Sequence, residues 1–261
     1  MKTNRTRQRL RSGETCIGTM VRDIRSPQVV QLAAAAGLDF IIMDTEHGPF
    51  SMETVADFAA VARYEDVTLI VRVPDNLYHL LARPLDNGAE GLLCPRVDTR
   101  AEVEAIVRAT RYAPEGNRGV SISGIATAYR PTDAAEYLRA ANENTLVIVQ
   151  IEAVETLEHL DEILSVPGID ATLIGPADLS QTMGIPGQFQ HPRMRDAFQA
   201  VIEACNRHGV APGLHLQDAD QLRQWMARGM RLVTYKTDFR LLADACRAAV
   251  QALRAPAAAK A

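Results

Sequence analysis

A (β/α)8 TIM barrel in one domain is the fold this sequence predicts, and three observations predict it. Its 261 residues are about what eight strand–helix units require. Eight short apolar runs of strand length recur along it. Between them the apolar residues switch to helical spacing, and strands alternating with helices make parallel sheets. No linker rich in Pro, Ser or Gly divides the chain. Residues 1–254 therefore read as a single domain and 255–261 as an Ala-rich tail.

The chain opens with Lys2, Arg5, Arg7, Arg9 and Arg11. No apolar stretch follows these charges, as a secretory signal would require. The segment reads as a short solvated helix before the first strand. Apolar runs then occupy 16–21, 40–43, 68–73, 91–95, 146–151, 171–174, 211–216 and 232–235. Within 53–63, Val55, Phe58, Ala59 and Ala62 keep helical intervals, and within 101–111 Val103, Ile106 and Val107 do the same. Each set puts one apolar stripe on a helix. One connection is long. Residues 112–144, between the fourth and fifth strands, carry Pro114-Glu115-Gly116, Arg118-Gly119-Val120-Ser121 and a helical stretch near 134–141. Loops of this length in compact domains are usually functional.

Composition removes several function classes. The net charge of −4 excludes a nucleic-acid binder driven by bulk charge. A 47% hydrophobic and 23% charged share excludes disorder as the main state. No apolar run approaches the roughly 18 residues that cross a membrane. Cys16, Cys94, Cys205 and Cys246 lack paired ligand spacing and read as thiols of a reducing compartment, so a cytoplasmic protein without a membrane partner is expected. There is no G-x-G-x-x-G, Walker or H-E-x-x-H motif, and no serine elbow.

In a barrel, chemistry gathers at the C-terminal ends of the strands. Asp44-Thr45-Glu46-His47-Gly48-Pro49 follows the second run. His47 lies three residues after Asp44, so the carboxylate is expected to fix the imidazole tautomer and leave a base. Arg72 ends the third run. A buried arginine needs a partner, with Glu46 and Asp86 as the candidates, and can then face an oxyanion. Glu152 and Asp178 follow the fifth and sixth runs with no basic neighbour in sequence. Paired carboxylates without a cation raise each other's pKa, so they suit a Mg2+, Mn2+ or Co2+ oxygen site; equally, each could simply cap the helix after it. Gly175-Pro176-Ala177-Asp178 puts backbone N–H groups at a strand-to-helix turn able to hold a carboxylate. His215 lies in the seventh run. Lys236, at the end of the eighth, is the one lysine between the two tails.

Read together, Asp44-Thr45-Glu46-His47-Gly48-Pro49, Val71-Arg72-Val73-Pro74, Tyr112-Ala113-Pro114-Glu115-Gly116-Asn117-Arg118-Gly119, Gln150-Ile151-Glu152 and Gly175-Pro176-Ala177-Asp178-Leu179-Ser180 resemble, in this order, the HpcH/HpaI family of class II pyruvate aldolases. The resemblance spans about 18–242. It implies a lyase that reversibly splits a 4-hydroxy-2-oxoacid into pyruvate, or an analogue such as hydroxypyruvate, and an aldehyde through a metal-bound enolate. It implies a homohexamer of dimers whose subunits contribute to their neighbours' sites. Glu152 and Asp178 would hold the metal. Gln150 and the N–H groups of Ala177 and Asp178 would orient the pyruvate carboxylate. Arg72 would stabilise the enolate oxygen, and His47, held by Asp44, would take the C4-hydroxyl proton.

This chain departs from the family's pattern in the acceptor half. Ser121-Ile122-Ser123-Gly124-Ile125-Ala126-Thr127-Ala128 stands where an Arg-containing stretch follows Arg-Gly-Val, with Arg130 only later. Met20 stands where a Trp is frequent, and His215 where an aliphatic residue is usual. The aldehyde half is thus expected to differ, away from succinic semialdehyde. The competing readings are a Schiff-base aldolase on Lys236, with Asp238 or a substrate's distal group as the lysine's expected partner otherwise, an oxaloacetate decarboxylase or acyl-CoA lyase sharing the enolate, and a non-catalytic scaffold.

Overall fold

The computed structural model describes residues 2–122 and 124–255; of the expected tail, 256–261 lie outside them. Eight strands close a parallel barrel in sequence order: β1 Cys16–Val21, β2 Phe40–Asp44, β3 Thr68–Arg72, β4 Gly91–Cys94, β5 Leu146–Ile151, β6 Ala171–Ile174, β7 Gly213–Leu216 and β8 Leu232–Thr237. The helices are α1 Arg5–Arg11, α2 Gln28–Ala35, α3 Met52–Ala62, α4 Tyr78–Asp86, α5 Arg100–Thr110, α6 Ala134–Asn144, α7 Val154–Glu158, α8 Leu160–Leu164, α9 Pro176–Thr182, α10 Pro192–His208, α11 Ala219–Ala227 and α12 Asp238–Arg254. Most strand residues are buried on both faces, which is why the runs read as continuous rather than alternating. Phe40, Ile42, Ile70, Leu93, Ile148 and Leu173 fill the barrel, while Ile41, Leu69, Val71, Val147 and Val149 meet the helix layer.

The first helix forms as expected but is solvated on one side only, with Thr6, Arg7 and Leu10 buried and Arg5, Gln8 and Arg11 exposed. Asn4 caps it through Arg7 N, and its side chain donates to the carbonyls of Glu90 (2.9 Å) and Asn144 (3.0 Å). Arg7 Nε donates to buried Asp170 at 2.8 Å, and Leu10 joins the barrel interior. α1 is therefore the floor of the barrel at its N-terminal rim.

The long connection begins after α5 and returns through α6 to β5. A segment that follows a helix and precedes a strand reaches the N-terminal rim, and Arg118 and residues 126–132 lie there beside the ends of α3 and α4, on the face opposite the catalytic one. The same geometry places Asp86, the last residue of α4, at that rim.

β8 runs two residues past the apolar run, and its register with β1 shifts between Gly18 and Met20. Lys236 sits in the left-handed region at the shift (φ 54°). Thr19 Oγ1 donates to the carbonyls of Tyr235 (2.9 Å) and Lys236 (3.2 Å) and closes the irregularity. Cys16, Cys94 and Cys205 are buried and Cys246 is exposed, all as free thiols. Burial pushes the thiols of Cys16 and Cys205 up to about 12, which keeps them unreactive. No described helix is long and apolar enough to cross a membrane.

Candidate active site

Asp44 and Arg72 are register partners at the ends of β2 and β3. Arg72 Nε and Nη2 donate to the two carboxylate oxygens at 2.9 and 2.5 Å. Burial works against the charge of both groups. Their mutual pairing outweighs it, holding the Asp44 carboxyl below its usual range and Arg72 above its own. Arg72 Nη1 lies 3.3 Å from Glu46 Oε2. The arginine is thus clamped by Asp44 and Glu46, and Asp86 has no part in it: Asp86 accepts from Arg118 Nη2 at 2.6 Å on the opposite rim.

Asp44 does not hold the His47 ring. Its Oδ1 accepts the backbone N–H groups of Glu46 and His47, each at 3.1 Å, the local bonding of an Asx turn. Gly48 completes this turn, because a Cβ there would lie 2.2 Å from the Asp44 carbonyl. His47 is exposed beside it, and its ring has no hydrogen-bond partner among the described residues.

Glu152 follows β5 and is 7% exposed. Its Oε1 accepts the Arg96 backbone N–H at 2.7 Å, and its Oε2 accepts from Gln150 Nε2. Burial, opposed by the Arg96 N–H, and then the charges of Asp178 and Glu46 push its carboxyl above the usual range. Asp178, exposed in the first turn of α9, is therefore close enough to repel it. Gln150 Oε1 is buried without a partner. Gly175 leaves the space beside these groups: a Cβ there would meet Gln150 Nε2 at 2.9 Å and Glu152 Oε2 at 3.2 Å. Pro176 opens α9, so the N–H groups of Ala177 and Asp178 are unpaired first-turn donors. Two mutually repelling carboxylates and an orphan amide oxygen suit a hard divalent cation. No cluster of three or more His, Cys, Asp or Glu converges among the described residues. A metal here would have two protein carboxylates and complete its shell from substrate and water.

His215 points into the same mouth. Burial, then the charge of Arg72, depress its pKa to about 4, with Asp44 opposing. The ring is neutral, Nδ1 is buried without a partner, and Nε2 lies 3.1 Å from Gln217 Nε2. Lys236 goes elsewhere. Its Nζ donates to Asp244 of α12 at 2.6 Å, and that bond first of all raises its pKa, the wrong direction for a Schiff-base nucleophile. Asp238, its expected partner, instead accepts the N–H groups of Asp23 and Ile24 at 3.0 and 2.8 Å.

Arg96 is the site residue that sequence reasoning missed. It has φ 51°, binds Glu152 through its N–H, and reaches Glu46 Oε1 with Nη2 at 3.1 Å. The signal was its place two residues beyond β4, at the strand end where barrel chemistry gathers.

The family model described as HpcH/HpaI aldolase/citrate lyase matches residues 23–245. The chain is 39% identical over 243 residues to a hydroxypyruvate/pyruvate aldolase of Pseudomonas aeruginosa, covering 93% of this chain and 90% of that one. It is 36% identical over 244 residues to a 2-keto-3-deoxy-L-rhamnonate aldolase of Escherichia coli, with the same coverage. A solved HpcH/HpaI aldolase from Desulfitobacterium hafniense superposes with a TM-score of 0.91 at 32% identity, covering 97% of this chain and 98% of its own.

Proposed function

The chain belongs to the HpcH/HpaI aldolase/citrate lyase family, and from that premise we propose that it is a divalent-metal-dependent aldolase that splits 4-hydroxy-2-oxoacids into pyruvate, or hydroxypyruvate, and an aldehyde. The observation that carries this reading is the uncompensated pair Glu152 and Asp178, facing a clamped arginine across the barrel mouth. Bound between the carboxylates, Mg2+, Mn2+ or Co2+ would supply Lewis-acid polarisation of the 2-oxo group.

The chain's own residues do the rest. The N–H groups of Ala177 and Asp178, with Gln150, orient the substrate carboxylate. His47 takes the proton of the C4 hydroxyl, the C3–C4 bond breaks, and the aldehyde leaves. The electron pair of that bond moves to the 2-oxo oxygen, where Arg72 faces the developing charge. Asp44 and Glu46 keep the guanidinium aimed without its having to reorganise, the condition under which such donors are most effective. A proton from water at C3 completes pyruvate, and His47 gives its own proton back to solvent. In synthesis His47 returns its proton to the new hydroxyl.

We further read the protein as a homo-oligomer, a hexamer built from dimers. Only Asp238 is buried among the 17 residues of α12, and Phe239, Leu242, Val250 and Leu253 are exposed on it, an apolar face that a second copy would cover. Residues 126–132, after Arg118-Gly119-Val120, lie on the far rim of their own barrel, so any contribution they make to an aldehyde pocket is to a neighbour's. We place the enzyme in the cytoplasm, in keeping with its free thiols.

Pyruvate release from a panel of 4-hydroxy-2-oxoacids, with EDTA and after restoring Mg2+, Mn2+ or Co2+, tests this reading. Activity abolished by EDTA and recovered with metal supports it. Activity that ignores EDTA and stops with borohydride in the presence of pyruvate would overturn it.

A further inference from the structure

A cavity of about 470 Å³ opens on the N-terminal rim, on the opposite face from the carboxylate pair. Its size is that of a small-molecule site. α3, the end of α4 and α6 wall it, and residues 126–132 of the long connection roof it.

Its charges are one-sided. Lys2 and Glu90 cancel: Lys2 Nζ is held at 3.1 Å by Glu90 Oε2 and at 2.8 Å by the carbonyls of Ala62 and Val67. That leaves Arg63, Arg118 and Arg130 on the lining. Asp86, outside the lining, answers one of them. The Arg118 side chain is only 3% exposed and is stacked 4.6 Å from the Tyr112 ring centroid. It gives Nη2 to Asp86, its Nε is buried without a partner, and Nη1 meets no acceptor among the described residues. Arg63 reaches the Ile125 carbonyl of the roof, and Arg130 is exposed at the edge. One acceptor is also orphaned, Glu90 Oε1, buried with no donor.

We propose that this cavity is a second, non-catalytic binding site for a small dianion that carries a hydroxyl group. Three guanidiniums with one acidic partner leave about two positive charges for carboxylate or phosphate oxygens, which arginine's planar fork fits. The ligand hydroxyl donates to Glu90 Oε1, which otherwise keeps the cost of a buried acceptor without a donor. The roof is the long connection itself, so occupancy ties residues 126–132 to α3 and α6.

The test is titration calorimetry on the full chain with saturating Mg2+ and pyruvate, so that the catalytic mouth is filled. The probes are L-malate, glycerol 3-phosphate, succinate, inorganic phosphate and chloride. The two hydroxylated dianions are expected to bind at least tenfold more tightly than succinate and phosphate, and chloride not at all. Malate against glycerol 3-phosphate separates a carboxylate source from a phosphate one. Arg63→Gln and Arg130→Gln should each weaken binding about tenfold, with pyruvate release unchanged in Arg63→Gln. Thr127→Trp, which fills the cavity under its roof, should abolish binding, with circular dichroism confirming the fold. The proposal is overturned if no probe binds at 10 mM, if binding is indifferent to these substitutions, or if all anions bind alike. It is equally overturned if pyruvate displaces the probe.

Discussion

Gly175→Ala isolates the carboxylate pair from the rest of the molecule. Gly175 has φ −92° and ψ 90°, outside the left-handed region, so alanine meets no backbone penalty. The added methyl lies 2.9 Å from Gln150 Nε2, 3.2 Å from Glu152 Oε2 and 3.3 Å from Glu152 Cβ. Ordinary contacts of a carbon atom begin at about 3.5 Å, so the nearest atoms must yield by roughly 0.5 Å. They cannot yield independently. Gln150 Nε2 donates to Glu152 Oε2, and Glu152 Oε1 is tied to Arg96 N at 2.7 Å, so the displacement falls on the carboxylate. Coordination distances tolerate only about 0.2 Å. Metal affinity should therefore fall about 10- to 100-fold, the range for disturbing a ligand's support, and the cleavage rate about 100-fold. Stability should change by no more than about 1 kcal/mol, the difference between glycine and alanine at a helix N-cap. Mn2+ titration followed by electron paramagnetic resonance, pyruvate release and a thermal melt give the three readouts. Gly124→Ala is the control, since a Cβ there meets nothing within 4 Å. Unchanged Mn2+ affinity and rate in Gly175→Ala would refute the assignment of Glu152 as a ligand.

The other predictions divide the reaction among its residues. His47→Ala should lower cleavage about 10²- to 10⁴-fold while deuterium exchange at the pyruvate methyl group persists; wild-type cleavage would remove His47 as the base. Arg72→Lys keeps the charge but loses the fork that Asp44 grips, and should cost about 10²- to 10³-fold in kcat with little change in metal affinity. His215 has its pKa lowered from 6.5 to about 4, so the unfolded chain takes up a proton before the folded one does. Its neutral state costs nothing above pH 6.5, and stability is lost as pH falls from there to about 4, by at most about 3 kcal/mol. In urea melts His215→Leu should lack that part of the acid slope; identical slopes would show that the ring is not held neutral.

The fold was legible because most strand residues are buried on both sides. The runs at 16–21, 146–151 and 171–174 coincide with β1, β5 and β6, since the few polar residues within them, Thr19, Gln150 and Thr172, are themselves buried. β7 begins at Gly213 rather than at 211, because Pro212 has no N–H to donate and Ala211 makes only an isolated bridge to Ala171. β8 overran its apolar run because a left-handed Lys236 absorbs a register shift, which no hydrophobic pattern encodes. The solvated reading of α1 failed on its buried side for a similar reason. Charge count marks a surface helix, but Arg7 is buried at 6% exposure because Asp170 waits for it, and that partner lies 163 positions away in the chain.

Strand ends named the site's residues; sequence spacing misassigned their partners. Asp44 stands three residues from His47 and 28 from Arg72, yet its carboxylate takes Arg72's side chain and only His47's backbone. Parallel register decides this, for β2 and β3 pair Asp44 directly with Arg72, whereas a tight turn points the i+3 N–H, not the i+3 side chain, back at the first residue. The same reasoning was available for Asp86. In a strand–helix–strand unit the strand's C-terminal end and the next helix's C-terminal end lie at opposite rims, so a residue closing α4 could never have reached Arg72 at the top of β3. What lies at that lower rim is instead the long connection, whose length marked it as functional and whose position separates it from its own barrel's chemistry. Its arginines line the second cavity, so the length signal and the unassigned charge belong to one feature.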